Sequence, residues 1–326
     1  MTREKPSIAR RRTLACLTGL ACTAALPLRA QPDTAVRMPL PFSAGGPTDA
    51  VARNITTLMS NHLGVPFVVE NKVGANGAIA SAFVAKAPPT GDTLLYHTSA
   101  FTLEAALRKN LPYDPLTDFT YIGLTTSTPL VLLVQADFAA RTPAEFMETL
   151  KANPGKLNYG AVIRSIVHVA PEQLFSSLGV KALAVPYKGT APALVDLMGG
   201  QVNFAFDAVN SALPHIRGGR LRPIAVTSRE RLPVLPDVPT FSETVLPGFE
   251  AGTWGGIMAP AGLPHDKLTR LHQALAAALA DSAFRSQVAS QGLRVVGGTP
   301  EQMRTFIADD IARWKQVAAS ANLPIE

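Results

Sequence analysis

Cysteine is almost absent. The 326 residues hold two, and both, Cys16 and Cys22, fall within the first thirty positions. The rest of the chain therefore offers no disulfide, no thiolate nucleophile and no thiolate-bound metal. Aromatic residues are scarce, at 6%. Beyond residue 30 no run reaches the roughly 18 uninterrupted apolar positions of a membrane-spanning helix. Signatures of catalysis and nucleotide binding are missing as well. No GxxxxGK precedes Ser or Thr, no GxGxxG is spelled, and GxSxG, HExxH and EF-hand loops do not occur. The histidines His62, His97, His168, His215, His265 and His272 are scattered without metal-ligand spacing. Neither metal nor cofactor is expected. Catalysis would need an assembled site of the Ser-His-Asp kind, whose members are distant in sequence.

The one strong charge bias sits at the start. Residues 1–30 carry six Lys/Arg and one Glu, leaving 24 Lys/Arg against 23 Asp/Glu in the remainder. Arg10-Arg11-Arg12 precede an apolar stretch from Leu14 to Leu26, and Leu28-Arg29-Ala30 follows. A basic region, a short apolar region and a small-residue cut site make an export signal, cleaved near Ala30. The expected location is the periplasm. With the signal set aside the chain is nearly neutral, which argues against nucleic acid as a partner.

What is present is α/β alternation. Strand-like runs such as Phe67-Val68-Val69, 93–96 and 202–206 alternate with helical patterns, favouring mainly parallel sheets covered by helices. Thr142-Pro143-Ala144-Glu145 and Thr299-Pro300-Glu301-Gln302 read as capped helix starts. After Asp266 a stripe of Leu268, Leu271, Leu275 and Leu279 marks one amphipathic helix.

Two segments echo one another. "PFSAGGPTD" (41–49) places prolines at 41 and 47, and "PYKGTAP" (186–192) places them at 186 and 192. Each follows a strand-like run and opens a helical pattern. Helix starts leave amides unpaired and carry partial positive charge, and Gly45 and Gly46 bare the backbone in front of one. The loop reads either as an anion seat without a cationic side chain or as a tight turn that needs glycines. A second bare loop, Gly74-Ala75-Asn76-Gly77, also opens a helix. Two such starts suit a small carboxylate better than a nucleotide.

In order along the chain, "PFSAGGPTDAVAR", "VVENKVGANGAIA", "LPYDPLTDF", "KANPGKLNYG", "VPYKGTAPALVDLMGGQV", "SALPHI", "AVTSRERLPVLPDVPTF" and "MAPAGLP" resemble the Bug-type solute receptors of tripartite tricarboxylate transporters. The resemblance implies a two-lobed type II periplasmic-binding-protein fold with two crossing hinge strands, at 124–133 and 249–257. Residues 31–126 and 254–326 would form lobe 1, and 127–253 lobe 2. It implies a receptor that closes on a small carboxylate and presents it to a membrane permease; the missing motifs argue against catalysis, and with no apolar seam evident in the sequence a monomer is expected. An exported hydrolase or lyase, or a sensor feeding a signalling kinase, are the alternatives.

Carried over by position, the resemblance assigns ligand contacts to Ser43, Gly45, Gly46, Pro47, Thr48 and Asp49, and to Gly74, Ala75, Asn76 and Gly77. It adds Thr98 and Ser99 at a strand end, Ser127 and Thr128 at the crossing, and Tyr187, Lys188 and Gly189 with Thr190. Asp207, at the end of a strand-like run, reads either as a ligand contact or as a cap for the following turn. One segment departs from the family pattern. Where a small, glycine- and serine-rich loop is usual, this chain has Arg164 and Ser165 within "AVIRSIVH". Arg164 either forks onto a second ligand carboxylate or points to solvent. On the first reading, Arg164→Ala weakens dicarboxylate binding far more than monocarboxylate binding in titration calorimetry. Equal losses, or none, contradict it.

Overall fold

A computed structural model describes residues 35–325; the expected export segment, 1–30, lies outside the described residues. In chain order the elements are β1 (Val36–Leu40), α1 (Pro47–Leu63), β2 (Phe67–Asn71), a 3-10 turn (Ala75–Gly77) leading into α2 (Ala78–Ala85), β3 (Leu95–Thr98) and α3 (Ala100–Leu107). Then come β4 (Phe119–Gln135), α4 (Pro143–Ala152), β5 (Asn158–Ala161), α5 (Ile166–Leu178), β6 (Leu183–Pro186), α6 (Thr190–Met198), β7 (Phe204–Ala208) and α7 (Val209–Arg217). The chain ends with β8 (Leu221–Val226), α8 (Phe241–Thr244), β9 (Gly252–Pro260), α9 (His265–Ala280), α10 (Ser282–Ser290), β10 (Arg294–Val295) and α11 (Pro300–Ser320). Among the described residues no helix is long and apolar enough to cross a membrane.

The expected capped starts are present. Thr142 accepts the Glu145 amide at the head of α4, and Thr299 with Gln302 closes a capping box on α11. In α9, Leu271, Leu275 and Leu279 are buried and Leu268 packs at the edge of the same core.

Sheet order departs from the parallel expectation at one place. β1–β2, β5–β6 and β5–β7 pair in parallel, as strands linked through crossover helices do. The expected crossing segment 124–133 lies within β4, and 249–257 begins three residues before β9 and runs into it; β4 and β9 pair antiparallel with each other and with their other neighbours. β4 is 17 residues long. Its first part, from Phe119 to Pro129, pairs with β9. Its last part, from Leu130 to Gln135, pairs with β7 and β8. Alternation along the chain could not reveal this, because the strand switches partners in mid-course.

Separate cores flank the switch. Met38, Leu40, Ile55 and Met59 pack with Leu271, Leu275 and Leu279. Leu130, Leu132 and Val134 pack with Phe146, Tyr159, Phe175, Phe204 and Phe206. The scarce aromatics are concentrated in the second core, where the Phe204 ring lies 5.0 Å from Phe146 and 5.2 Å from Tyr159. Each such side chain contributes about 1.5–3 kcal/mol through burial. α11 reaches both regions. Its Met303, Ile307 and Ile311 pack with Phe101 and Tyr121, while Trp314 and Val317 join the core around Phe175.

Close backbone approach marks the crossing. A Cβ on Gly252 would stand 2.6 Å from the Thr128 carbonyl oxygen, a neighbour that cannot rotate away. Gly252→Ala is therefore expected to destabilise the fold by about 1–3 kcal/mol, read from urea unfolding. An unchanged midpoint and slope would contradict the tight crossing.

Candidate functional site

A cavity of about 330 Å³ opens beside the crossing. Its wall collects Pro47, Thr48 and Val51 from α1, Tyr96 and Thr98 from β3, and Thr126 and Thr128 from β4. Thr190 and Ala191 come from α6, Asp207 and Ala208 from β7, and Asn210 and Ser211 from α7. Thr253, Trp254 and Gly255 of β9, with Leu293, complete it. Chain segments on both sides of the β4 switch thus contribute, and the ends of parallel strands and the starts of helices meet there, where ligands of α/β folds bind.

Three helices begin at this cavity: α1, α6 and α7. None has a side-chain cap on its first-turn amides. Thr142, Thr240, Asp281 and Thr299 cap α4, α8, α10 and α11; α2, α3, α5 and α9 begin elsewhere and are also uncapped, so what marks the cavity is that three uncapped starts converge on it. Uncapped first-turn amides and the aligned peptide dipoles favour an anion. In α1 Pro47 lacks an amide hydrogen, and Ala50 is the first residue to bond back, to Gly46 at 3.0 Å. The amides of Thr48 and Asp49 are left over. The hydroxyls of Thr48, Thr98 and Thr128 have no partner among the described residues and stand in the same wall.

The loop before α1 holds itself in shape. Asp49 is buried, and its carboxylate accepts from the Gly45 amide at 3.0 Å, Arg53 at 2.9 Å and Asn71 at 2.8 Å. The Arg53 contact above all holds its carboxyl down at about 2. The Gly46 amide turns back to the Ser43 carbonyl at 3.4 Å. Gly45, Gly46 and Asp49 thus brace the loop internally, and the free donors lie one step further on.

The second bare loop serves packing. Gly77 has φ of +99°, and a Cβ there would collide with the ring of His97. His97 is fully buried, its pKa lowered to about 4 by desolvation, so it stays neutral beneath the loop. Phe42 meets the same ring edge-on at 6.0 Å. Asn76 donates to Glu104 at 2.8 Å. Gly74, Ala75, Asn76 and Gly77 are not among the lining residues.

Of the positions expected from the sequence, the cavity brings together Pro47, Thr48, Thr98, Thr128 and Asp207, with Thr190 beside them. Ser43, Gly45, Gly46 and Asp49 are not among the lining residues. Ser99 donates to Thr253 at 3.0 Å, one step behind a lining residue. Ser127 lies in the wall of an adjoining cavity of about 210 Å³, which shares Thr128, Thr253 and Trp254 with the first. Tyr187 bonds Asp196 at 2.6 Å, and Lys188 and Gly189 precede the lining part of α6. Arg164, at φ +67°, donates its amide to His168 at 3.3 Å, and Ser165 bonds the Val162 carbonyl at 2.7 Å. Neither lines the cavity.

Sequence reasoning missed Tyr96, Thr126, Asn210, Ser211 and the Thr253–Gly255 stretch. Only strand register could have exposed the pair Thr126 and Thr128. A signal for α7 was available, since "SALPHI" begins at Ser211, four residues after Asp207.

Asp207 is the charged member of the wall. It is 2% exposed, and desolvation pushes its carboxyl up to about 6 against hydrogen bonds from Ser211, Ala208 and Thr190 that pull it down.

A family model described as a tripartite tricarboxylate transporter family receptor matches residues 51–323. The solved periplasmic binding protein BugD is 37% identical, with a TM-score of 0.79, covering 90% of this chain and 99% of its own. A protein of R. palustris solved with adipate is 34% identical, with a TM-score of 0.81 and coverage of 89% and 98%. MatC of Rhodopseudomonas palustris, solved with bound malate, is 35% identical, with a TM-score of 0.77 and coverage of 88% and 99%. The architecture is the two-lobed α/β fold of periplasmic binding proteins.

The carboxyls of Asp49 and Asp207 pull stability in opposite directions. Asp207 has a folded value near 6, above the unfolded value of about 3.9. Its contribution is full below about pH 4 and is lost as pH rises through about 6. Asp49, lowered to about 2, stabilises above about pH 4 and loses that contribution on further acidification. The unfolding free energy of wild type minus Asp207→Asn should rise by about 2 kcal/mol from pH 8 to pH 4. A flat difference would contradict the burial of an uncompensated carboxylate.

Proposed function

Because the chain belongs to the tripartite tricarboxylate transporter receptor family, we propose that it is a periplasmic receptor that holds a small carboxylate in the cavity between two lobes and delivers it to a membrane permease. The lobes would be 35–126 with 254–326, and 127–253, with the end of α11 reaching across. One observation carries the reading. The uncapped starts of α1 and α6, drawn from opposite sides of the β4 switch, face one cavity. The relatives solved with adipate and malate support a carboxylate as the ligand class.

The carboxylate would lie against the amides of Thr48 and Asp49 and the hydroxyls of Thr98 and Thr128. Closing the lobes removes water, which strengthens hydrogen bonds to a charged acceptor. No bond of the ligand needs to break, and the wall supplies recognition only. Trp254 lies in the wall, with its indole nitrogen donating to Asp310 at 3.1 Å, so its emission should report occupancy.

A thermal-shift screen over mono-, di- and tricarboxylates and their uncharged amides tests the reading. At about 100 times the Kd a bound acid adds about 2.7 kcal/mol, a rise of several degrees. The amides should add nothing, and the acid should be recovered unaltered. Stabilisation by no acid, or conversion of an acid to product, would contradict the receptor.

A further inference from the structure

The start of α7 differs from the other two helix starts in the wall because a charge of the protein already answers it. Asp207 accepts the Ala208 amide on Oδ1 at 2.8 Å and the Ser211 hydroxyl on Oδ2. The Thr190 hydroxyl adds a third contact from α6. No Lys, Arg or His stands among the described residues of the wall, so this carboxylate has no counter-charge there. These three donors leave about one of the carboxylate's four acceptor positions open. Next to it Asn210, also in the wall, has its Oδ1 buried without a partner. The cavity is therefore asymmetric. The α1 wall presents donors that lack acceptors, and the α7 wall presents acceptors that lack donors.

We propose that Asp207, together with Asn210, is the specificity determinant of the cavity, favouring small carboxylic acids that also bear a hydroxyl or ammonium donor over unsubstituted acids of the same skeleton. The proposal rests on the carboxylate-receptor reading. A substituted acid satisfies both walls, with its carboxylate on α1 and its donor on α7. An unsubstituted acid closes the cavity over an underpaired anion and brings a second negative charge towards it. Both effects oppose binding. The remaining way to admit such an acid is to protonate Asp207, which then donates a hydrogen bond itself.

The surroundings leave that proton to Asp207 alone. The groups facing it are the Thr190 hydroxyl from α6, the Ala208 amide, the Ser211 hydroxyl from α7, and Val131, its partner on β4. Tyr96, the other titratable residue of the wall, is kept neutral by burial, which raises its hydroxyl.

Titration calorimetry of the mature protein with succinate, malate and aspartate tests this. At pH 7 malate or aspartate should bind about 10- to 100-fold tighter than succinate, the range expected when a buried acceptor is left unpaired. Malate against aspartate separates a hydroxyl donor from an ammonium donor. Repeated in buffers of different ionisation enthalpy, succinate binding should take up about one proton, as a carboxyl near 6 must when it becomes protonated in the complex, and malate binding close to none. In Asp207→Asn the preference should collapse towards equality and the proton uptake should vanish. Equal affinities in the wild type, equal proton uptake for the two acids, or a preference that survives Asp207→Asn would each overturn the proposal while leaving the receptor intact. Binding of none of the acids would overturn both. If the variant does not fold, the wild-type affinities and proton counts decide alone.

Discussion

A single strand that changes partners halfway along its length organises the molecule. β4 leaves β9 at Pro129 and takes up β7 and β8 from Leu130 onward. Its 17 residues far exceed the usual five or six, because it serves two cores. Thr126 and Thr128, which lie just before the change, are in the cavity wall. Everything else in the site is arranged around that point. β3 and β9 bring Thr98 and Trp254 to it, and the helices that follow β1, β6 and β7 begin there. The tight approach of Gly252 to the Thr128 carbonyl holds β4 and β9 together where the sheet changes partners.

Among the described residues no Lys, Arg or His lines the cavity, so in the proposed receptor an anion would be held without a cation. Four of the helices that begin elsewhere, α4, α8, α10 and α11, have a first-turn amide capped by a Thr or Asp side chain, and α2, α3, α5 and α9 do not. Those that begin at the cavity lack such caps. The donors left over are fixed by the fold and need no reorganisation to meet a carboxylate, as in other anion sites at helix starts. Asp49 and Arg53 work behind the scenes, since their ion pair at 2.9 Å fixes the loop that aims α1. Asp207 plays the reverse part. It quenches the field of α7 from within and divides the wall into a donating and an accepting side.

Much of this was legible before the structure. The proline spacing shared by residues 41–47 and 186–192 marked two helix starts, and both reach the same cavity. Thr142 and Thr299 announced their caps, and the leucine stripe of α9 announced its buried face. These are local features, set by neighbours within one or two turns. The rest depends on register and tertiary approach. No pattern within "LTTSTPLVLL" says that Thr126 and Thr128 rather than Ser127 face the ligand cavity, because that depends on pairing with β9. Gly77 reads as a bare anion loop, yet its bareness accommodates His97, twenty residues away in sequence. Gly45 and Asp49 were expected to face a ligand and instead bond each other. The mainly parallel sheet expected from alternation gives way to antiparallel pairing along β4 and β9, the two strands that cross.

The most direct test of this account is a crystal structure of the protein with a bound carboxylic acid. The account predicts one ligand carboxylate within hydrogen-bond distance of the Thr48 and Asp49 amides and a threonine hydroxyl of β3 or β4, with no arginine or lysine touching it. A carboxylate held by a basic side chain, or a ligand seated away from the start of α1, would contradict it.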